Sequence, residues 1–124
     1  MHLRSLMRDE MVLENGAYGE RLVPWLPLNA PFEGAWVLVK AGAATGAHSH
    51  HEYEMFIAMK GKAVVEADGE QRPFVAGDIV HLTPGTVHRA INDSDEDFEF
   101  YAIWWDTDMS ERFVTQHAGT EGKA

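Results

Sequence analysis

From about residue 35 onward the chain falls into short stretches in which apolar positions recur every second residue. In Tyr53–Lys60, Glu54, Phe56 and Ala58 share one face, with Tyr53, Met55, Ile57 and Met59 on the other, the two-residue period of a strand. Gly61 turns the chain and Lys62–Ala67 follows as a second strand. Asp68-Gly69 marks a tight hairpin, because a type I′ turn needs positive φ at both central residues. Glu70–Val75 returns, Gly77-Asp78 turns again, and Ile79–Leu82 is a further short strand. Pro84-Gly85 suits a type II turn, with proline presetting φ and glycine taking the positive φ. Residues 36–40, 87–91 and 97–105 complete the set. In the last of these, Phe100, Ala102 and Trp104 oppose Tyr101, Ile103 and Trp105, so both faces are apolar and both must be covered.

Short strands separated by Gly, Pro and Asp turns predict an all-β sandwich or barrel. One helix is expected over 108–117, capped by Asp108 or Ser110, with Glu111 in its first turn and Phe113 and Val114 as a small apolar face. Pro24, Pro27 and Pro31 predict that residues 1–34 form an irregular arm over the barrel, with Trp25 and Trp36 as anchors. Residues 35–107 would be the barrel itself, and 118–124 a flexible, linker-like tail.

Composition narrows the class. A chain of 124 residues supports one domain. Twenty acids against ten bases give a net charge of −10, which argues against a direct nucleic-acid binder. The absence of cysteine removes disulfides, thiolate metal sites and thiol nucleophiles. The longest apolar stretches, 35–39 and 101–105, fall far short of the roughly 20 residues a membrane helix needs. The first ten residues carry Arg4, Arg8, Asp9 and Glu10 without an apolar run, unlike a secretory signal, and a cytoplasmic location is expected. The acids at 93, 95, 96, 97 and 99 read as a solvated loop.

Seven histidines remain as the notable reagent. His48 and His50 lie two apart, so on a strand their rings face the same way, and Glu54 has the same parity. His88, beyond the Pro84-Gly85 turn, can return to the same place on an antiparallel neighbour. Three imidazoles and a carboxylate suit Zn, Fe(II), Mn, Ni, Co or Cu. His51 must point away from His50 and reads as a surface residue or one that fixes a ligand's tautomer. His81 reads either as pocket lining or as a structural histidine, and His2 and His117 as exposed.

These residues carry a resemblance. Gly42, His48, His50, Glu54 and Gly61 match the first motif of the cupin family throughout. Gly77, Gly85, His88 and Asn92 match the second in register, with Thr83 where a proline is usual and Pro84 beside it. The resemblance implies a jelly-roll β-barrel (a double-stranded β-helix) with one divalent metal inside, held by His48, His50, Glu54 and His88, usually in a homodimer. Phe56, Ala58, His81, Ala90, Phe100 and Trp104 are the expected walls of a substrate pocket.

Metal-bearing cupins include dioxygenases, lyases, isomerases, cyclases and sensors, so fold alone does not choose a reaction. Glu54-Met55-Phe56-Ile57-Ala58, Asn92-Asp93-Ser94-Asp95-Glu96-Asp97-Phe98 and Ile103-Trp104-Trp105-Asp106 are similar to cupins that partner methionyl-tRNA-synthetase-like domains. That likeness implies a zinc cupin that rearranges an aminoacyl ester of an N-hydroxylated amine to a hydrazine, with a synthetase-like partner. The alternatives are an Fe(II)-dependent oxygenase or lyase on a carboxylate substrate, and a non-catalytic sensor of a metal or small ligand.

Overall fold

The computed structural model describes residues 1–117, so the expected tail at 118–124 lies outside the described residues. In chain order the strands are β1 (Val12–Glu14), β2 (Ala17–Arg21), β3 (Glu33–Val39), β4 (Tyr53–Lys60), β5 (Lys62–Ala67), β6 (Glu70–Val75), β7 (Ile79–Leu82), β8 (His88–Ile91) and β9 (Phe98–Trp105). They are followed by the helix α1 (Thr107–Gln116). The turns form as their residues dictate. Asp68 and Gly69 both take positive φ, 48° and 85°. Thr86 N donates to Thr83 O at 3.2 Å across Pro84-Gly85, with Gly85 at φ 81°.

Two antiparallel sheets face each other as a jelly-roll barrel. The larger runs β1-β2-β3-β9-β4-β7 and the smaller β6-β5-β8. The strand period directs Val39, Phe56, Ala58, Phe98, Phe100 and Ala102 inward from the larger sheet, against Ala63, Val65, Phe74 and Ala90 from the smaller. Phe74, Phe98 and Phe100 are almost solvent-free, and each such burial is worth about 1.5–3 kcal/mol.

Three expectations are corrected. The first 34 residues are not wholly irregular: β1 and β2 form a hairpin that pairs with β3, which itself starts at Glu33. The overlooked signal is Asn15-Gly16, a type I′ pair at φ 52° and 83°. The rest of the stretch does cover the outer face: Arg4 donates to Leu22 O and Arg21 O, and its guanidinium lies 5.3 Å from the Trp25 ring. The helix cap is Asp106, not Asp108 or Ser110. Its extended backbone lets its carboxylate accept from Asp108 N and Met109 N. Finally, Glu99 is not solvated. It is buried on the outer face of β9, accepting from Trp36 Nε1 at 2.8 Å and Arg8 at 3.0 Å.

Among the described residues no helix is long and apolar enough to cross a membrane.

Candidate metal centre

The segment between β3 and β4 carries the first two histidines. It runs beside β8 and extends the smaller sheet: Asn92 N donates to Ala43 O, Thr45 N to Ala90 O and Gly85 N to His50 O, each at 2.8–2.9 Å. Bridges pair Ala44 with Ile91 and His48 with His88. The segment thus spends one residue more than β8 between the two bridges, the signature of a bulge. His48 and His88, directly opposite, present their rings on one face, with His50 two residues on.

The chain then crosses to the other sheet at His51 and Glu52, and Glu54 enters from β4. Glu54 therefore meets the histidines from the facing sheet, rather than by holding parity along one extended strand. His51 itself is exposed, and its carbonyl accepts from Thr107 Oγ1.

Ring centroids lie 5.6 Å (His48–His50), 4.7 Å (His48–His88) and 5.1 Å (His50–His88) apart. One ligand nitrogen from each of the three falls within 4.8 Å of the others. Every Nδ1 faces a backbone carbonyl: Gly46 O for His48 at 3.0 Å, Glu52 O for His50 at 3.1 Å and Thr86 O for His88 at 2.9 Å. A carbonyl only accepts, so in the neutral rings the proton sits on Nδ1 and the lone pair on Nε2. The Asn15 amide also approaches His48 Nδ1, at 3.2 Å.

Glu54, 6% exposed, closes the group. Its Oε1 lies 2.8 Å from His50 Nε2 and 3.1 Å from His88 Nε2. The second approach is close but misaligned, and His88 Nε2 is buried without a hydrogen-bond partner. Burial works against a charge on His88, but the Glu54 carboxylate, the Thr86 carbonyl and Asp68 outweigh it and raise its pKa above the ordinary histidine value. Three imidazoles converging on a carboxylate, each offering its Nε2 lone pair when the ring is neutral, are a donor set that fits a divalent cation.

These groups sit in a cavity of about 420 Å³. Of the residues expected as its walls, Phe56, Phe100 and Trp104 line it. Ala58 and Ala90 do not: they are buried in the core, and the Phe56–Phe100 pair, 4.5 Å between centroids, stands at the inner end of the cavity. His81 lies on the outer face, because Val80 and Leu82 take the inward positions of β7. It stacks 5.7 Å from Tyr53 and 5.8 Å from Trp105.

The polar walls were missed. Glu14, Asn15, Arg21, Glu33, Thr45 and Glu52 all line the cavity, most of them from the hairpin and the start of β3. The signals were the Asn15-Gly16 turn and the parity that Glu33 shares with the inward Ala35. Arg21 donates from Nε and Nη2 to Glu14 and lies 5.7 Å from the Trp104 ring. The Arg21 hydrogen bond lowers the Glu14 pKa, and the reciprocal bond raises that of Arg21.

A family model described as "Cupin domain" matches residues 35–104. A solved cupin 2 conserved barrel domain protein from Salinispora arenicola is 50% identical, with a TM-score of 0.84, covering 94% of this chain and 98% of that one. The plu4264 protein from Photorhabdus luminescens is 40% identical, TM-score 0.83, with 92% and 95% covered. A cupin-like protein from Thermotoga maritima shares the fold at 22% identity, TM-score 0.70, with 82% and 80% covered.

Proposed function

The chain belongs to the cupin domain family, and from that premise we propose that it is a mononuclear metal-dependent enzyme of small-molecule metabolism, its divalent ion held by His48, His50, Glu54 and His88. One observation carries the reading: three Nδ1–carbonyl contacts turn three imidazoles inward, and the buried Nε2 of His88 has no hydrogen-bond partner of its own.

A divalent ion supplies Lewis acidity toward a substrate carboxylate or carbonyl. The chain's own residues do the rest. The backbone carbonyls of Gly46, Glu52 and Thr86 fix the rings and their tautomers. Phe56 and Phe100 exclude water from the inner end, and the cavity admits a small substrate rather than a polymer.

Zinc is the favoured ion. The sharp form of the reading is rearrangement of an aminoacyl ester of an N-hydroxylated amine to a hydrazine, alongside a methionyl-tRNA-synthetase-like partner and as a homodimer. It is supported by the three sequence segments that resemble such cupins.

The test is elemental analysis of protein purified without a chelating tag. About one zinc per chain, with no oxygen uptake on any candidate substrate, is the expected result. Activity only with Fe(II) and O₂ would transfer the reading to an oxygenase. A protein that takes up no divalent metal would overturn it.

A further inference from the structure

The cavity has an unbalanced charge. Glu33, Glu52 and Glu54 line it besides Glu14, against a single arginine. Arg21 is spent on Glu14, to which it donates twice. Glu33 is half-buried, and its carboxylate forms neither a hydrogen bond nor an ion pair with any described residue; it reaches Arg21 only at longer range.

Sheet register places this carboxylate. Glu33 pairs with Trp104 on β9, and Trp104 pairs with Glu54 on β4. The three form one row on the inward face, so the Glu33 and Glu54 backbones stand roughly 10 Å apart, two strand spacings, with the indole between. The same row reaches the orphaned Nε2 of His88, 2% exposed, through Glu54.

Beyond the row, a second cleft of about 310 Å³ borders the cavity. The two share Glu33, Glu52 and Trp104, and the cleft adds Phe32, Trp105 and Asp106. Among the described residues no lysine or arginine lines it; its one base is His51, whose Nδ1 lies 3.7 Å from Glu52 Oε1, while His50 Nδ1 faces the same oxygen at 3.6 Å, so of the two shared carboxylates Glu33 is the one left without a cation beside it. Partly desolvated carboxylates beside indole faces are the chemistry that binds an organic ammonium group.

We propose that the junction of Glu33, Glu52 and Trp104 is a subsite for the cationic amine of a substrate whose other end binds the metal. The inference rests on the metal reading above. An amine there gives Glu33 the partner that the fold withholds, and an anionic tail meets uncompensated carboxylate.

The test uses the Co(II)-loaded protein and three hydroxamates of matched length, followed through the cobalt visible spectrum. β-Alanine hydroxamate carries an ammonium tail, butyrohydroxamate a neutral one and succinic monohydroxamate a carboxylate. The ammonium probe should bind about tenfold tighter than the neutral one, as one charge-assisted contact warrants, and the carboxylate probe weakest. Glu33→Gln should bring the first two together while cobalt content is unchanged.

Equal affinities in the wild-type protein overturn the subsite, whatever the variant does. So does a second cobalt ion displaced by Glu33→Gln, which would make the junction a metal site. A protein that takes up no cobalt fails before any hydroxamate is added; that outcome overturns the metal reading and this one with it.

Discussion

His48 and His88 exchange both backbone hydrogen bonds, His88 N to His48 O at 2.9 Å and His48 N to His88 O at 3.2 Å. They form a hydrogen-bonded antiparallel pair whose side chains share a face. The backbone at these two positions is therefore held by a paired bridge rather than by an unpaired loop. Substituting either side chain leaves these main-chain bonds intact.

His48→Ala and His88→Ala should each lower metal content from about one ion per chain to a small fraction, while the far-ultraviolet circular dichroism stays that of a β protein. Elemental analysis after dialysis is the check. Full loading of His88→Ala would remove His88 from the ligand set.

Glu54→Gln keeps the side-chain shape and removes the charge that faces two imidazoles. Metal affinity, measured by competition with a chelating dye, should fall by at least about tenfold, since even groups that only orient ligands cost that much. An unchanged affinity would place Glu54 outside the metal's reach.

Two glycines separate backbone strain from steric fit. Gly85 has φ 81° with nothing within 4 Å of an added Cβ, so Gly85→Ala should cost only the left-handed penalty, about 1–2 kcal/mol. At Gly61, φ 88°, the new carbon would also meet Asp97 O at 2.8 Å. Urea melts should show Gly61→Ala as clearly the less stable of the two.

The barrel and the histidines were legible because both follow from local rules. The strand from 53 to 60 alternates strictly, and each tight turn names its own residues. What was illegible depended on pairing between distant strands. Glu99 sits in a run of acids, and only the register with β3 shows that Trp36 Nε1 is waiting for it. His81 had the parity of Ile79, but which parity faced inward was decided by its pairing with Met55. Much of the cavity's charged wall comes from the β1–β2 hairpin and the start of β3, and the prolines between β2 and β3 mask the plain Asn15-Gly16 hairpin signal.

Glu99→Ala should destabilise by about 1–3 kcal/mol, because the partly buried Trp36 N–H loses its acceptor and Arg8 its partner. Glu99→Gln retains an acceptor and should recover part of that loss in the same denaturant titration. Equal loss in both variants would locate the effect in the Arg8 charge pair alone.

Burial pushes the Tyr101 phenol above its ordinary pKa, with nearby Arg4 pulling the other way and Glu20 adding to the rise. The native state thus prefers the neutral phenol, and the unfolded chain gives up that proton first. Stability from this group is complete below the ordinary tyrosine value, about 10, and is lost as pH climbs from there through the native value. Tyr101→Phe should flatten that part of the alkaline stability profile. Superimposable profiles would refute the assignment.

The strand order has a further consequence, in the timing of assembly. β9 lies between β3 and β4, so the halves β1-β2-β3 and β4-β7 become one sheet only through it. It is also the last in chain order among the described strands. As the chain emerges from the ribosome, β3 and β4 each carry an unpaired edge until residues 98–105 are free to insert, and unpaired edges recruit other chains. Glu33 and Glu54, the two ends of the inward row, reach their places together in that closing step. A chain halted before Phe98 would hold His48, His50 and His88 yet lack a finished cavity, and aggregation is its expected fate.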